Sequence, residues 1–248
     1  MISILTKDEQ SKMRASGRMS AKAMKKVLAS VKEGVTLKAL DIIAEEEIKL
    51  LGGKSSFKYE PGYEWTSCIT VNDEVVHGIP RDTPLKKGDK VSIDLGAFFG
   101  GMHSDTSWSV IVDGEQTKFL KVGEEALWKG VSKAIANNHV GDISQAIQDT
   151  IEGAGYEVVK AMVGHGVGKK LHMDPEIPGI GKAGTGPLLQ EGQSIAVEAI
   201  YTEGTREVKV ASDGWTVSSE DGSLGGLFEM TVIVGKKKAE VVTDWRKV

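Results

Sequence analysis

Apolar residues recur at two periods along this chain. Between residues 7 and 31, Met13, Met19, Ala23, Val27 and Val31 keep roughly helical spacing with lysines and arginines between them, which predicts an amphipathic helix ended by Lys32-Glu33-Gly34. Thr36 then stands as cap to a second helix over 37–51, with Leu37, Leu40, Ile43, Ala44 and Ile48 on one face and Gly52-Gly53 as its stop. A third helix is predicted from near Thr117 through Leu120, Val122, Ala126, Leu127, Val131 and Ile135 to a break at Asn137-Asn138, and a fourth over about 143–154, capped by Asp142 or Ser144 and ended at Gly155. Alternating or β-branched apolar runs predict strands at about 66–71, 90–98, 107–112, 156–163, 194–201 and 226–234.

The order of these elements repeats. Each half carries two helices, the second following a glycine (Gly34 or Gly141), and then strands. The pattern suggests one domain over 1–248 built as a pseudo-repeat, with halves of roughly 1–115 and 116–248 and a site at their seam. No linker or low-complexity segment interrupts it.

Composition narrows the setting. A net charge of -4 gives no broad basic face for nucleic acid, and Lys236-Lys237-Lys238 reads as a solvated turn. The first residues lack the pattern of a signal peptide, and no apolar run reaches the roughly 20 residues of a membrane span. The single cysteine, Cys68, excludes an internal disulfide framework. Together these features lead us to expect a reducing, cytoplasmic location.

The strand patterns contain residues that do not belong in an apolar environment. Asp94 lies among Val91, Ile93 and Leu95, where an unpaired carboxylate is costly. Asp105 follows eleven residues later, with Gly96, Gly100 and Gly101 between, a length that fits two antiparallel strands joined by a tight turn through 99–101 and both carboxylates on one face. Glu198 sits in Ile195-Ala196-Val197-Glu198-Ala199-Ile200 and Glu229 in Leu227-Phe228-Glu229-Met230, and glutamate is seldom buried without a partner. His165, in Gly164-His165-Gly166-Val167-Gly168, has glycines on both sides that leave its ring accessible. Asp94, Asp105, His165, Glu198 and Glu229 together form an oxygen-rich set suited to a pair of divalent cations, and hence to hydrolysis. His172 lies seven residues past His165, so the two are not ligands at helical i, i+4 spacing; one ligand and one hydrogen-bonding group fits better. His77 precedes Gly78-Ile79-Pro80 in a loop. His103 and His139 have no such context and read as structural, and Cys68 reads as a wall residue.

In order and spacing, several motifs resemble type I methionine aminopeptidases, members of the pita-bread metallopeptidase family. They are Cys68-Ile69-Thr70-Val71-Asn72, Val76-His77-Gly78-Ile79-Pro80, Ile93-Asp94, His103-Ser104-Asp105-Thr106, Gly164-His165-Gly166-Val167-Gly168 with Leu171-His172, Asp213-Gly214-Trp215-Thr216-Val217 and Phe228-Glu229. The resemblance covers nearly the whole chain. It implies an α+β pita-bread fold, a pseudo-twofold-symmetric curved antiparallel β-sheet backed by helices. It also implies two divalent ions (Co, Mn, Fe(II) or Zn) on Asp94, Asp105, His165, Glu198 and Glu229, with Asp105 and Glu229 bridging. Hydroxide generated at the metals would attack the first peptide carbonyl, Glu198 would serve as general base and then acid, and His172 and His77 would bind the substrate amide and stabilise the tetrahedral intermediate. Tyr63, Cys68, Leu171 and Trp215 would line an apolar pocket for the N-terminal side chain. The substrates implied are N-termini of nascent polypeptides or peptides, met by a monomer, with ribosome association consistent with such a role and no membrane or nucleic-acid partner. Glu198 follows His172 by 26 residues, too few for the inserted helical subdomain of the type II enzymes.

The chain departs from the family pattern in places. Ala199 stands where proline is usual and Met230 where histidine is often found, which predicts a missing hydrogen bond beside Glu229. Met173-Asp174 replaces an acidic pair before Pro175. Glu60-Pro61-Gly62-Tyr63-Glu64 replaces a Tyr-x-x-Phe-Pro segment, and a small pocket residue falls near Phe57. Asp94-Leu95-Gly96-Ala97 and Ser104-Asp105 look instead like the proline-directed members. The alternatives are therefore an X-Pro-directed aminopeptidase or dipeptidase of the same fold, or a non-catalytic binding module built on it.

Overall fold

The computed structural model describes residues 4–248. Helix α1 (Lys7–Leu28) starts at a reciprocal cap: Thr6 Oγ1 accepts from the Glu9 N–H at 3.2 Å while Glu9 accepts from the Thr6 N–H at 2.8 Å. Thr36 caps α2 (Leu37–Leu50) and Thr117 caps α3 (Lys118–Lys133) by the one-way bond alone, each hydroxyl accepting from the N–H three residues on. Helix α4 (Val140–Gly153) begins three residues earlier than its apolar period predicts. Asp142 does cap it, but from inside the first turn, accepting from the His139 N–H at 2.7 Å.

Among the described residues the main sheet runs, from edge to edge, Met173–Pro178, Val163–Gly166, Ser194–Thr202, Gly225–Ile233, Thr106–Ile111, Lys90–Leu95 and Ser67–Val71, with every neighbouring pair antiparallel. Strand alternation splits it into two faces. Val197, Ala199, Phe228, Met230, Ile93, Leu95 and Trp108 point into one core with Met24, Leu40, Leu127 and Ile147 of the four helices. The intervening residues point the other way, and the site is built on that side.

Two expected strands are broken. The 90–98 strand divides at Gly96 into Lys90–Leu95, in the main sheet, and Ala97–Phe99, which pairs with Lys54–Ser55 and Met102–His103 in a smaller sheet. A Cβ at Gly96 would lie 2.3 Å from the Ser104 carbonyl, so the two chains cross here only because the position has no side chain. The turn falls at Gly100-Gly101 as expected, but Asp105 lies at the corner between the sheets rather than in a strand, and Asp94 faces Ser107. The 156–163 strand divides into Glu157–Val158 and Val163–Gly166. Both pieces pair with Ser194–Thr202, but between Val158↔Tyr201 and His165↔Ala196 one chain takes seven steps and the other five. The surplus bulges out opposite Glu198 and carries Ala161 and Met162 to the rim of the site.

Lys90 is the unexpected member of the site-facing row. It is 1% exposed, and its Nζ donates to the Glu74 carbonyl at 2.9 Å and to Ser92 Oγ at 3.3 Å. Burial pushes its pKa down from 10.5 to about 7. Between those values the unfolded chain holds a proton that the folded chain has lost, so stability gains from rising pH. Relative to Lys90→Met, the native protein should become more stable from pH 7 to 9 by up to about 1.4 kcal/mol per pH unit, as read from urea denaturation at the two pH values. Parallel curves for the two proteins would mean that Lys90 is not desolvated.

Candidate metal centre

The site is a single transverse line across the sheet. Cys68 lies opposite Asp94, Asp94 opposite Ser107, Ser107 opposite Glu229, and Glu229 opposite Glu198. Partners across an antiparallel ladder share a face, so the three carboxylates and the cysteine point the same way. The Ser107 hydroxyl turns back to donate to the Ile93 carbonyl at 3.0 Å, leaving the acids as the reactive members. His165 enters from the next strand, opposite Ala196, two residues from Glu198 and so on the same face. Asp105 enters from the corner, where its N–H donates to Thr231 Oγ1 at 2.9 Å and its carbonyl accepts from the same hydroxyl at 2.8 Å.

The side chains converge. His165 Nε2 lies 3.5 Å from Glu198 Oε1 and 3.8 Å from Asp105 Oδ2. His165 Nδ1 lies 2.9 Å from the Gly166 carbonyl; as the donor there it leaves Nε2 bare toward the acids. Three groups place one ligand atom from each member within 4.8 Å of the others: Asp94, Asp105 and Glu229; His165, Glu198 and Glu229; and Asp105, His165 and His172. Four carboxylates in one buried spot cannot all carry charge without compensation. Burial raises Asp94 from 3.8 to about 7, and it raises Asp105, Glu198 and Glu229 well above the ordinary carboxylate range, with repulsion between the acids adding to that rise. Burial, followed by the neighbouring His172, lowers His165 to about 4.

Asp94 Oδ1, Asp105 Oδ1 and Glu229 Oε1 are buried with no hydrogen-bond partner. Orphaned acceptors are rare in protein interiors, and three on converging acids beside a bare imidazole nitrogen form a donor set that fits hard divalent cations.

Above the line is a cavity of about 300 Å³. Every residue expected at the site borders it: the four acids and His165, then His77 and His172, then Tyr63, Cys68, Leu171 and Trp215. Phe57, Tyr63, Cys68 and Leu171 pack as one apolar cluster with Trp215 beside them. Tyr63 Oη donates to the Ser67 carbonyl at 2.8 Å and reaches Cys68 Sγ at 3.1 Å, which fixes that wall. Burial raises the Cys68 thiol well above its usual value, as fits a wall residue. His77 has a left-handed backbone, φ 58°, and burial lowers its pKa. His172 stands with its ring 4.5 Å from that of His165, edge to face.

Two departures from the family pattern do not reach this centre. Met230 alternates away from Glu229 into the helical core, where its sulfur lies 3.3 Å from Thr243 Oγ1 and 3.8 Å from Thr106 Oγ1. The expected loss of a hydrogen bond beside Glu229 is thus corrected: the position faces the other side of the sheet. Ala199 is likewise buried against the helices. Among the described residues His103 lies outside the cavity, its Nδ1 2.6 Å from Ser56 Oγ and its ring tilted at 46° against Phe98. Sequence patterning missed Ala161, Met162, Ile200 and Leu227 on the cavity wall. Ile200 and Leu227 carried a signal, since each shares a face with an acid two residues away; Ala161 and Met162 come from the bulge and carried none.

Fold and site define a metallopeptidase. Residues 11–236 match the model of metallopeptidase family M24, and the chain belongs to that family. Its strong likenesses are to methionine aminopeptidases. That of Clostridium perfringens is 39% identical over 246 residues, covering 98% of this chain and 99% of the relative. The crystal structure of the Thermotoga maritima enzyme superposes with a TM-score of 0.95 at 38% identity, covering 98% of this chain and 99% of that one. The Rickettsia prowazekii enzyme gives 0.94 at 34%, covering 98% and 100%. The prolidase from Pyrococcus furiosus, at 22% identity and a TM-score of 0.78 over 97% of this chain and 65% of that one, shares the pita-bread fold alone.

Proposed function

We propose that this protein is a metal-dependent aminopeptidase that removes N-terminal methionine from polypeptide chains. The observation that carries the reading is the line of acids with orphaned oxygens at the floor of a cavity whose wall is apolar. A closed aromatic and aliphatic wall suits an unbranched thioether side chain, and the acids lie where the first peptide bond would follow.

In this reading Asp94, Asp105, His165, Glu198 and Glu229 hold two divalent ions. Glu229 and Asp105 each belong to two of the three groups of converging ligand atoms, so these two would lie centrally in the donor set. Bound divalent ions lower the pKa of water toward about 7 and polarise the scissile carbonyl, which is the chemistry an acid-lined site needs from them. Glu198 takes a proton from the attacking water and returns it to the departing amine, so that the C–N bond breaks to a neutral leaving group. His77 and His172, both lining the cavity, bind the peptide amide and steady the oxyanion. The apolar wall excludes water from the N-terminal side chain.

Release of methionine from Met-Ala-Ser, compared with cleavage of Ala-Pro-Ser, tests the reading with Mn, Co, Fe(II) or Zn added to metal-free protein. Methionine release that depends on the metal, with little cleavage before proline, is expected. Preference for the proline peptide would move the activity to the proline-directed members, and no cleavage with any of the metals would leave a binding role.

A further inference from the structure

Glu60 stands in the segment that departs from the family pattern, and it lines the cavity. Its Oε1 lies 3.2 Å from His172 Nδ1. A second ring, His165, meets the His172 ring edge to face at 4.5 Å, so His172 is held between a carboxylate and an aromatic edge. An ionised carboxylate can only accept hydrogen bonds, so the proton at this contact belongs to the imidazole. We propose that Glu60 is a positioning residue that fixes His172 in its Nδ1–H form and turns Nε2 toward the peptide amide.

The consequence is a division of labour, and it rests on the aminopeptidase reading given above. In the neutral ring, a proton on Nδ1 leaves Nε2 as an acceptor. His172 then receives a hydrogen bond from a substrate N–H, and His77, which has no carboxylate on its ring among the described contacts, is free to supply the donor to the carbonyl oxygen. One nitrogen of His172 lies within 4.8 Å of ligand atoms of both Asp105 and His165, so a ring turned about its axis would direct its other nitrogen, with a different hydrogen-bonding character, at the reacting bond. The side chains of Glu60 and His172 are 37% and 53% exposed, so removing the contact does not threaten the core.

Imidazole nitrogen-15 NMR on protein loaded with Zn(II), which is diamagnetic, reads the tautomer directly. The shifts expected for His172 are those of a protonated Nδ1 and a bare Nε2. Glu60→Leu should lose that signature and lower kcat for Met-Ala-Ser about tenfold, with KM changed much less, as when a partner that orients an active-site imidazole is removed. Glu60→Gln, whose side-chain oxygen still accepts, should restore both the signature and most of kcat. A His172 that carries its proton on Nε2 in the native protein, or a tautomer unchanged in Glu60→Leu, overturns the assignment even if methionine is released. A native Nδ1–H form that Glu60→Leu abolishes, in a protein that releases no methionine, upholds the pairing and removes the aminopeptidase reading instead.

Discussion

Glu198→Gln should lower kcat for methionine release by about 10²–10⁴-fold, the range typical of a general base. Gln keeps the length and shape of the side chain and one acceptor oxygen, so the strand pairing Glu198↔Glu229 should persist. It removes the group able to accept a proton in line with the cavity. It also removes one of four acids crowded in a buried spot, so the melting temperature of the metal-free variant should not fall below that of the native protein. Steady-state kinetics with added metal, alongside calorimetry, separate these effects. A variant within about tenfold of native kcat would show that another group moves the proton.

Metal removal should abolish activity and also make stability steeply dependent on pH. In the metal-free protein Asp94 holds a proton up to about 7, against 3.8 for an ordinary aspartate, and the other three acids are raised as well. The folded state therefore binds more protons than the unfolded chain across this window. The stability this provides is complete below the ordinary carboxylate value and is lost as pH rises toward 7 and beyond. Each such group costs up to about 1.4 kcal/mol per pH unit. Metal-free protein should therefore melt at least about 3 °C lower at pH 7 than at pH 5, given 2–4 °C per kcal/mol for a chain of this size. Cations replace the protons as the compensating charge, so metal-loaded protein should show a much flatter profile, and metal addition at pH 6 should release protons measurable by titration. A metal-free melting temperature that rises from pH 5 to 7 would contradict a protonated acid cluster, and full activity after exhaustive chelation would remove the metal from the mechanism.

The sequence was most legible where local chemistry and global fold agree. Helix starts at Thr36 and Thr117 were readable because a hydroxyl cap precedes an apolar period, and the acids were readable because each interrupts an apolar strand. What could not be read was how the strands meet. Nothing local says that Asp94 faces Ser107 rather than Asp105, because the hairpin changes sheets at Gly96, and that crossing is set by the backbone of Ser104 and the side chain of Ser56. The bulge opposite Glu198 was hidden for a related reason: Tyr156 to Val163 is apolar enough for one strand, and only register with residues 194–202 shows the surplus. Met230 was misread by adjacency in sequence, where alternation along the strand puts it on the far side of the sheet from Glu229.

The transverse line of acids also has a meaning in time. Asp94 and Glu229 stand one strand apart in space and 135 residues apart in the chain. At about 5–20 residues per second of synthesis, roughly 7–27 s pass between the making of one and of the other. Throughout that interval the Asp94 strand and its hairpin can form, but the proposed cation site cannot be completed, because Glu229 does not yet exist. On the proposed reading the chain is born without its catalytic centre, and metal capture would be among the last events of its own biogenesis.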